Sequence, residues 1–127
     1  MKKNIIRVIA ALPGLPMLLN GVGFLLGPEQ AAASLGMEML EGVGRSTQVG
    51  DFASFFIGLA ALIFLGAYHA KGRWLYAGAM FLGSAAAFRA VAALAHGADM
   101  ATQFIAVEVI LTVWLCVCAF VLDREAG

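Results

Sequence analysis

Four long apolar stretches, separated by short polar turns, dominate this sequence and limit what it can fold into. They cover approximately residues 5–26, 51–68, 74–94 and 101–122. A helix needs roughly 20 predominantly apolar residues to span the hydrocarbon core of a bilayer. Because lipid offers no partner to backbone polar groups, such segments must pair those groups internally, as helices do. The pattern predicts an all-α integral membrane four-helix bundle that forms one domain over residues 1–127.

The composition agrees with a membrane protein. Hydrophobic residues make up 62% of the chain, charged residues make up 13%, and the mean hydropathy is +0.92. An ordinary soluble domain is about half apolar and about a quarter charged. The formal net charge is zero, so no basic face predicts a nucleic-acid partner.

The two cysteines, Cys116 and Cys118, do not form a metal or redox motif. Two residues apart on a helix, they point to different faces and cannot both ligate one tetrahedral zinc without other ligands. The sequence contains no zinc motif, nucleophile elbow or phosphate loop. We therefore expect no metal, no cofactor and no catalytic residues that a motif would identify.

The first apolar stretch resembles a secretory signal at its start but is too long for one. After the charged Lys2 and Lys3, the apolar run continues to about Leu26, which predicts a retained membrane anchor. Pro13 and Pro16 lie within it and predict a kink. The carbonyl groups that these prolines leave unpaired are expected to bond to neighbouring helices.

The segment between the first and second spans is polar enough to leave the bilayer. Pro28 followed by Glu29 predicts the start of a short helix. Leu35 and Met37, among other apolar residues that follow, indicate that this segment lies at the membrane interface. A simple capping loop is the alternative.

The distribution of cations predicts the orientation. With four spans, six cationic residues lie on one side, whereas Arg45 alone lies on the other. Because cytoplasmic loops carry an excess of Lys and Arg, both termini are expected in the cytoplasm. The six are Lys2, Lys3, Arg7, Lys71, Arg73 and Arg124.

One charged residue lies inside each of the last two spans: Arg89 in the third and Glu108 in the fourth. An ionisable side chain at membrane depth costs several kcal/mol if it is left alone, so each is expected to find a partner. Arg89, Glu108 and Asn20 all lie roughly 7 to 11 Å below the outer ends of their spans. A bidentate Arg89–Glu108 pair is expected, with Asp51 as a competing acceptor and Asn20 as a further hydrogen-bonding group.

Several roles for this polar layer remain open. The pair could only set helix order and register. Alternatively, Arg89 could recognise an anionic or carbonyl head group in a pocket open to the outer leaflet, with Arg45 and His96 on the same side. Proton-coupled transport or catalysis would require Glu108 or His96 to titrate.

Gly50, Ser54 and Gly58 recur at every fourth position of the second span. Such a small-residue face lets another helix approach closely. It could pack within the chain or against a second copy in a homo-oligomer.

Single residues along nearly the whole chain carry a resemblance to a known family. They are Pro28, Leu35, Gly36, Arg45, Gly50, Gly58, Arg89 and Glu108. In this arrangement the chain resembles a small bacterial family of four-helix membrane proteins catalogued as domain of unknown function 4345, and it is broadly similar to the DoxX-like proteins. The resemblance implies a four-helix bundle in a bacterial inner membrane. It transfers no catalytic residue, and no residue here shows the redox chemistry associated with DoxX-like proteins.

These observations predict a membrane protein that binds a lipid-like ligand, or serves as an accessory partner of another membrane protein, at the layer of Arg89 and Glu108. The alternatives are a small proton-coupled transporter or exporter, and a membrane enzyme acting on an isoprenoid, sterol or quinone.

Overall fold

The computed structural model describes residues 2–127, and that range contains six α-helices and no strand. This confirms the predicted all-α fold. The helices are α1 (Lys2–Ala11), α2 (Gly14–Leu26), α3 (Pro28–Ser34), α4 (Gly42–His69), α5 (Gly72–His96) and α6 (Thr102–Ala126).

Four helical segments in the described range are long enough and apolar enough to cross a membrane. They are α1 with α2 as one segment of 25 residues, α4 with 28, and α5 and α6 with 25 each. They are compatible with a membrane helical bundle. One boundary differs from the expectation, because α4 begins at Gly42 rather than near residue 51. Asp51 therefore lies inside α4 instead of at its start, since no proline interrupts the preceding residues.

The first span is interrupted at Leu12 and Pro13, as the prolines predicted, whereas Pro16 lies in the first turn of α2. Without an amide hydrogen on Pro13, the Ile9 carbonyl has no partner within the helix. The Trp114 indole Nε1 donates to this oxygen at 2.9 Å, which confirms that a neighbouring helix satisfies it. The Leu12 carbonyl, which Pro16 cannot pair, accepts the Leu15 amide at 3.2 Å within the turn.

The chain divides into two compact units, residues 1–11 with 62–127, and residues 12–61. The prediction of a single domain stays a prediction. In the first unit α5 and α6 run antiparallel, and a fully buried core is formed by Ile63, Leu75, Leu115 and Leu122. Small residues allow close packing here. At Gly72 of α5, an added Cβ would lie only 2.7 Å from the Ala119 carbonyl oxygen of α6.

The second unit is built on stacked aromatic rings. The Phe24 ring of α2 lies 5.2 Å from that of Phe52 and 6.2 Å from that of Phe56, both on α4. The predicted short helix between the first two spans is α3, with Pro28 in its first turn. Its position at a membrane interface stays a prediction.

The irregular segment before α4 is held by one buried side chain of the second unit. Gln48 is 8% exposed. Its Oε1 accepts the Leu40 amide at 2.7 Å, and its Nε2 donates to the Glu38 carbonyl at 3.1 Å. These bonds satisfy backbone groups that no helix pairs.

Candidate functional site

The α5–α6 hairpin of the first unit places Arg89 and Glu108 at the same level. Arg89 lies seven residues before the end of α5 and Glu108 six residues after the start of α6, which puts both about 10 Å from the connecting turn. The turn begins at Gly97, whose φ of 69° is left-handed and whose amide bonds back to Ala92. Glycine adopts this conformation without penalty and so ends the helix.

Arg89 and Glu108 form an ion pair through one hydrogen bond. Arg89 Nε donates to Glu108 Oε1 at 2.9 Å. The expected bidentate geometry is therefore wrong. The carboxylate meets the Nε edge of the guanidinium, whereas Phe104, one turn earlier on α6, places its ring centroid 4.7 Å from Arg89 Cζ. The ring and the carboxylate together hold the guanidinium in one orientation.

This arrangement leaves hydrogen-bonding capacity unused. Among the described residues, neither Nη1 nor Nη2 of Arg89 has a hydrogen-bond partner, and neither does Glu108 Oε2. No buried side-chain nitrogen or oxygen in that range lacks a partner, so these atoms are accessible. The Arg89 side chain is 31% exposed and that of Glu108 is 12% exposed. The pair thus presents four N–H donors outward.

Asn20 and Asp51 belong to the second unit, and both are exposed. Asn20 borders an open cavity of about 460 Å³ between α2 and α3, together with Gly23, Gly27 and Gln30. The predicted convergence of Asn20 and Asp51 on Arg89 joins residues of different units and stays a prediction.

Arg45 is engaged with its own surroundings in the second unit. Its Nη2 lies 3.1 Å from Glu41 Oε1 and 3.9 Å from Glu29 Oε1, and its Nε donates to the Leu40 carbonyl at 3.0 Å. Exposed ion pairs of this kind contribute little stability. The bond to the Leu40 carbonyl connects Arg45 to the segment before α4, and its predicted role in ligand binding stays a prediction.

His96 is exposed at the last residue of α5, and Asp99 is exposed in the following turn. Neither side chain forms a hydrogen bond or ion pair with another residue in the range 2–127. Within the same range, no three His, Cys, Asp or Glu side chains lie close enough to hold a metal ion.

Two polar contacts of the first unit did not emerge from the sequence. Arg7 donates from Nε to the Ala67 carbonyl and from Nη2 to the Tyr68 carbonyl, both at 2.7 Å, and so caps the C-terminus of α4. Asp123 Oδ1 accepts the Gly72 amide at 2.9 Å at the start of α5. Asp123 lies near the C-terminus of α6, where a carboxylate interacts unfavourably with the dipole of its own helix. This unfavourable position is the sequence signal that Asp123 could bind the N-terminus of another helix.

A scan against protein-family models found no match, and searches of curated proteins and of solved structures found none either. The all-α fold and its four candidate spans place the chain in the class of multi-pass helical membrane proteins. The resemblance to the family of domain of unknown function 4345 and to DoxX-like proteins stays a prediction.

Proposed function

We propose that this small membrane protein binds a lipid-like ligand at the layer of Arg89 and Glu108, as an accessory protein or partner of another membrane complex. The observation that carries the proposal is the guanidinium of Arg89, which is oriented by Glu108 and Phe104 while neither of its Nη groups has a hydrogen-bond partner within residues 2–127.

The chemistry of these groups defines the ligand. Two parallel N–H donors on one guanidinium edge match the oxygens of a carboxylate or phosphate, and they also accept a carbonyl oxygen. Phe104 offers an apolar surface beside them for a hydrocarbon portion. Because Glu108 already neutralises much of the Arg89 charge, a ligand with a carbonyl or a single negative charge fits better than a polyanion.

An Arg89→Gln variant tests the proposal. Lipids that co-purify with the protein in mild detergent are quantified by mass spectrometry, and one species is expected to fall at least about fivefold, as the loss of one charge-assisted hydrogen bond implies. Arg45→Gln removes a cation that is already paired, and it should leave this species unchanged. An Arg89→Gln protein that remains folded with an identical lipid profile would contradict the proposal.

Transport is a second candidate, favoured by Glu108 Oε2, which has no hydrogen-bond partner in the described part of the chain. A carboxylate with one accessible oxygen can exchange a proton with a substrate at the same site. The assay is flux into proteoliposomes under a pH gradient, which should disappear in Glu108→Gln if transport occurs. A membrane enzyme acting on an isoprenoid, sterol or quinone remains the other alternative, and it requires turnover that depends on Glu108 or His96.

We also propose a bacterial inner-membrane location with both termini in the cytoplasm. The contact of Arg7 with the end of α4 and that of Gly72 with Asp123 bring the N-terminal turn, the α4–α5 turn and the end of α6 to one end of the first unit. This end carries most of the Lys and Arg residues of the chain, and such residues are enriched on the cytoplasmic side of membrane proteins.

Cysteine labelling tests that orientation. In a background where Cys116 and Cys118 are replaced by serine, an impermeant maleimide should label Asp99→Cys in intact spheroplasts. It should label Lys71→Cys only after the membrane is opened. The reverse pattern would contradict the proposed orientation.

A second copy of the chain is the partner proposed for the small-residue face. Gly50, Ser54 and Gly58 are exposed, and a Cβ added at either glycine would contact no other part of the described chain beyond the adjoining backbone of α4. Backbones can approach closely on such a face. Gly58→Leu should reduce dimer cross-linking in membranes, whereas Val113→Leu, at an exposed position of α6, should not.

A further inference from the structure

We propose that the cationic end of the first unit binds an anionic phospholipid, with its phosphate beside Arg7 and its acyl chains in the groove between α1 and α4 and on the adjoining apolar patch of α1. This site is separate in sequence and chemistry from the pair of Arg89 and Glu108.

The groove lies between α1 and α4 and encloses about 460 Å³. Its lining changes character along α1. Asn4, Arg7 and Tyr68 lie at the end that carries the helix termini, whereas Ala11 and Phe64 line the interior end. Over the seven residues from Asn4 to Ala11, the groove runs about 10 Å into the unit. A polar mouth followed by an apolar channel suits an amphiphile.

A second, shallow surface cavity of about 330 Å³ lies on α1 alone. It is lined by Asn4, Ile5, Val8 and Ile9, and it shares Asn4 and Val8 with the groove. Because the groove and this apolar patch on α1 adjoin at Asn4 and Val8, the hydrocarbon chains of one lipid can lie against both.

The charge at this end identifies the head group. Six cationic side chains are present, against the carboxylates of Asp123 and Glu125. None of these cations forms an ion pair among the described residues, where the pairs are those of Arg45 and Arg89. Asp123 itself is occupied by the Gly72 amide. The local excess of positive charge attracts anionic lipid head groups.

Arg7 is placed to connect the charge to the groove. Two of its N–H groups donate to the carbonyls of Ala67 and Tyr68 at 2.7 Å, and a third makes a long contact of 3.4 Å to Asn4 Oδ1. A guanidinium has five N–H donors, so two remain for a phosphate oxygen. Because its partners are neutral, Arg7 retains its full positive charge at the mouth of the groove.

The test measures binding of spin-labelled phosphatidylglycerol and phosphatidylcholine, with identical acyl chains, to the purified full-length protein in detergent micelles. Phosphatidylglycerol is expected to bind about tenfold more tightly, because each Lys or Arg near a head group adds to the attraction of an anionic lipid. Replacing Lys2, Lys3, Lys71 and Arg73 together by glutamine should reduce that preference to about twofold or less. Arg7 is left intact because it also caps α4.

A second variant tests the groove and the apolar patch. Val8 is 62% exposed and borders both, so Val8→Trp should weaken binding of both lipids at least about fivefold by occupying the surface that the acyl chains contact. Val117, which is 56% exposed on α6 and borders neither the groove nor the patch, provides the matched Val117→Trp control.

Four results would overturn the proposal: equal affinity for the two lipids, equal binding by the Val8→Trp and Val117→Trp variants, displacement of the lipid by millimolar glycerol phosphate, or loss of the selectivity in Arg89→Gln. The last result would place the lipid at the Arg89 layer instead. An unchanged selectivity in Arg89→Gln supports the present site whether or not the proposed function holds.

Discussion

The Trp114 indole donates a hydrogen bond of 2.9 Å to the carbonyl oxygen of Ile9. This is the oxygen that an amide at position 13 would pair in an unbroken helix. Pro13 has no amide hydrogen, and α1 ends at Ala11. The proline break and the tryptophan on α6 therefore complement each other, although 105 residues separate Ile9 from Trp114.

Trp114→Phe should destabilise the protein by about 1 kcal/mol. Phenylalanine keeps an aromatic ring at this position, but the Ile9 carbonyl loses its donor. Side-chain hydrogen bonds in membrane proteins contribute about 0.6 kcal/mol on average, with a maximum near 1.7. Equilibrium unfolding in micelles measures the change. In a Pro13→Ala background the amide at position 13 can pair with Ile9, so the same substitution should cost less. Equal costs in the two backgrounds would show that this bond contributes nothing.

Glu108→Ala should destabilise the fold by about 1 to 3 kcal/mol, below the 3–5 typical of a fully buried pair, because Arg89 is partly exposed. The alanine leaves the cation without its carboxylate. The double variant Arg89→Gln with Glu108→Gln should be more stable than Glu108→Ala alone, since no unpaired charge remains. A double-mutant cycle compares the wild type, Arg89→Gln, Glu108→Gln and the double variant, and it gives the interaction free energy between the two side chains. An interaction free energy of zero would contradict the pairing.

Gly72→Ala should destabilise by about 1 to 3 kcal/mol through overpacking. An added Cβ would lie 2.7 Å from the Ala119 carbonyl oxygen and closer still to the Asp123 carboxylate. Gly83→Ala on the same helix is the control, because its Cβ would meet Thr112 at an ordinary 3.5 Å. In thermal unfolding, the midpoint temperature should be lower for Gly72→Ala than for the wild type and unchanged for Gly83→Ala. Similar midpoints for both would rule out the close approach of α5 and α6 at Gly72.

Gln48→Leu should release the segment that precedes α4. The leucine keeps the side chain's bulk but removes the bonds to the Leu40 amide and the Glu38 carbonyl. Hydrogen exchange at the Leu40 amide is expected to accelerate at least about tenfold, consistent with the loss of roughly 1 to 3 kcal/mol when a backbone group loses its partner. Thr47→Ala, at an adjacent exposed position, should leave this exchange unchanged. Slow exchange in Gln48→Leu would mean that other contacts hold the segment.

Much of the fold follows from local sequence. Apolar length alone predicted the helical class and the number of candidate spans, because a helix is the way a single segment can pair its own backbone in hydrocarbon. The break at Pro13 and the helix beginning at Pro28 were also predictable, since proline acts on its own backbone and on the neighbouring turn. The helix α4 begins at Gly42, nine residues before the expected start of the second span, because residues too polar for the span can still continue the helix.

The candidate site was only partly predictable. That Arg89 and Glu108 would share a level follows from counting residues on either side of one turn. The single Nε contact and the ring of Phe104 beside the guanidinium depend on side-chain rotamers packed between two helices. No periodicity encodes those rotamers.

The sequence by itself determined which segments become helices, where prolines interrupt them and which charges must find partners, because these are properties of neighbouring residues and of the cost of leaving polar groups unpaired. Only the tertiary structure decided the partners: Trp114 for Ile9, Arg7 for the end of α4, and Asp123 for the start of α5. Each of these is a hydrogen bond between residues more than 50 positions apart. Such bonds form only where packing brings two backbones or side chains within about 3 Å, a distance that linear spacing does not specify.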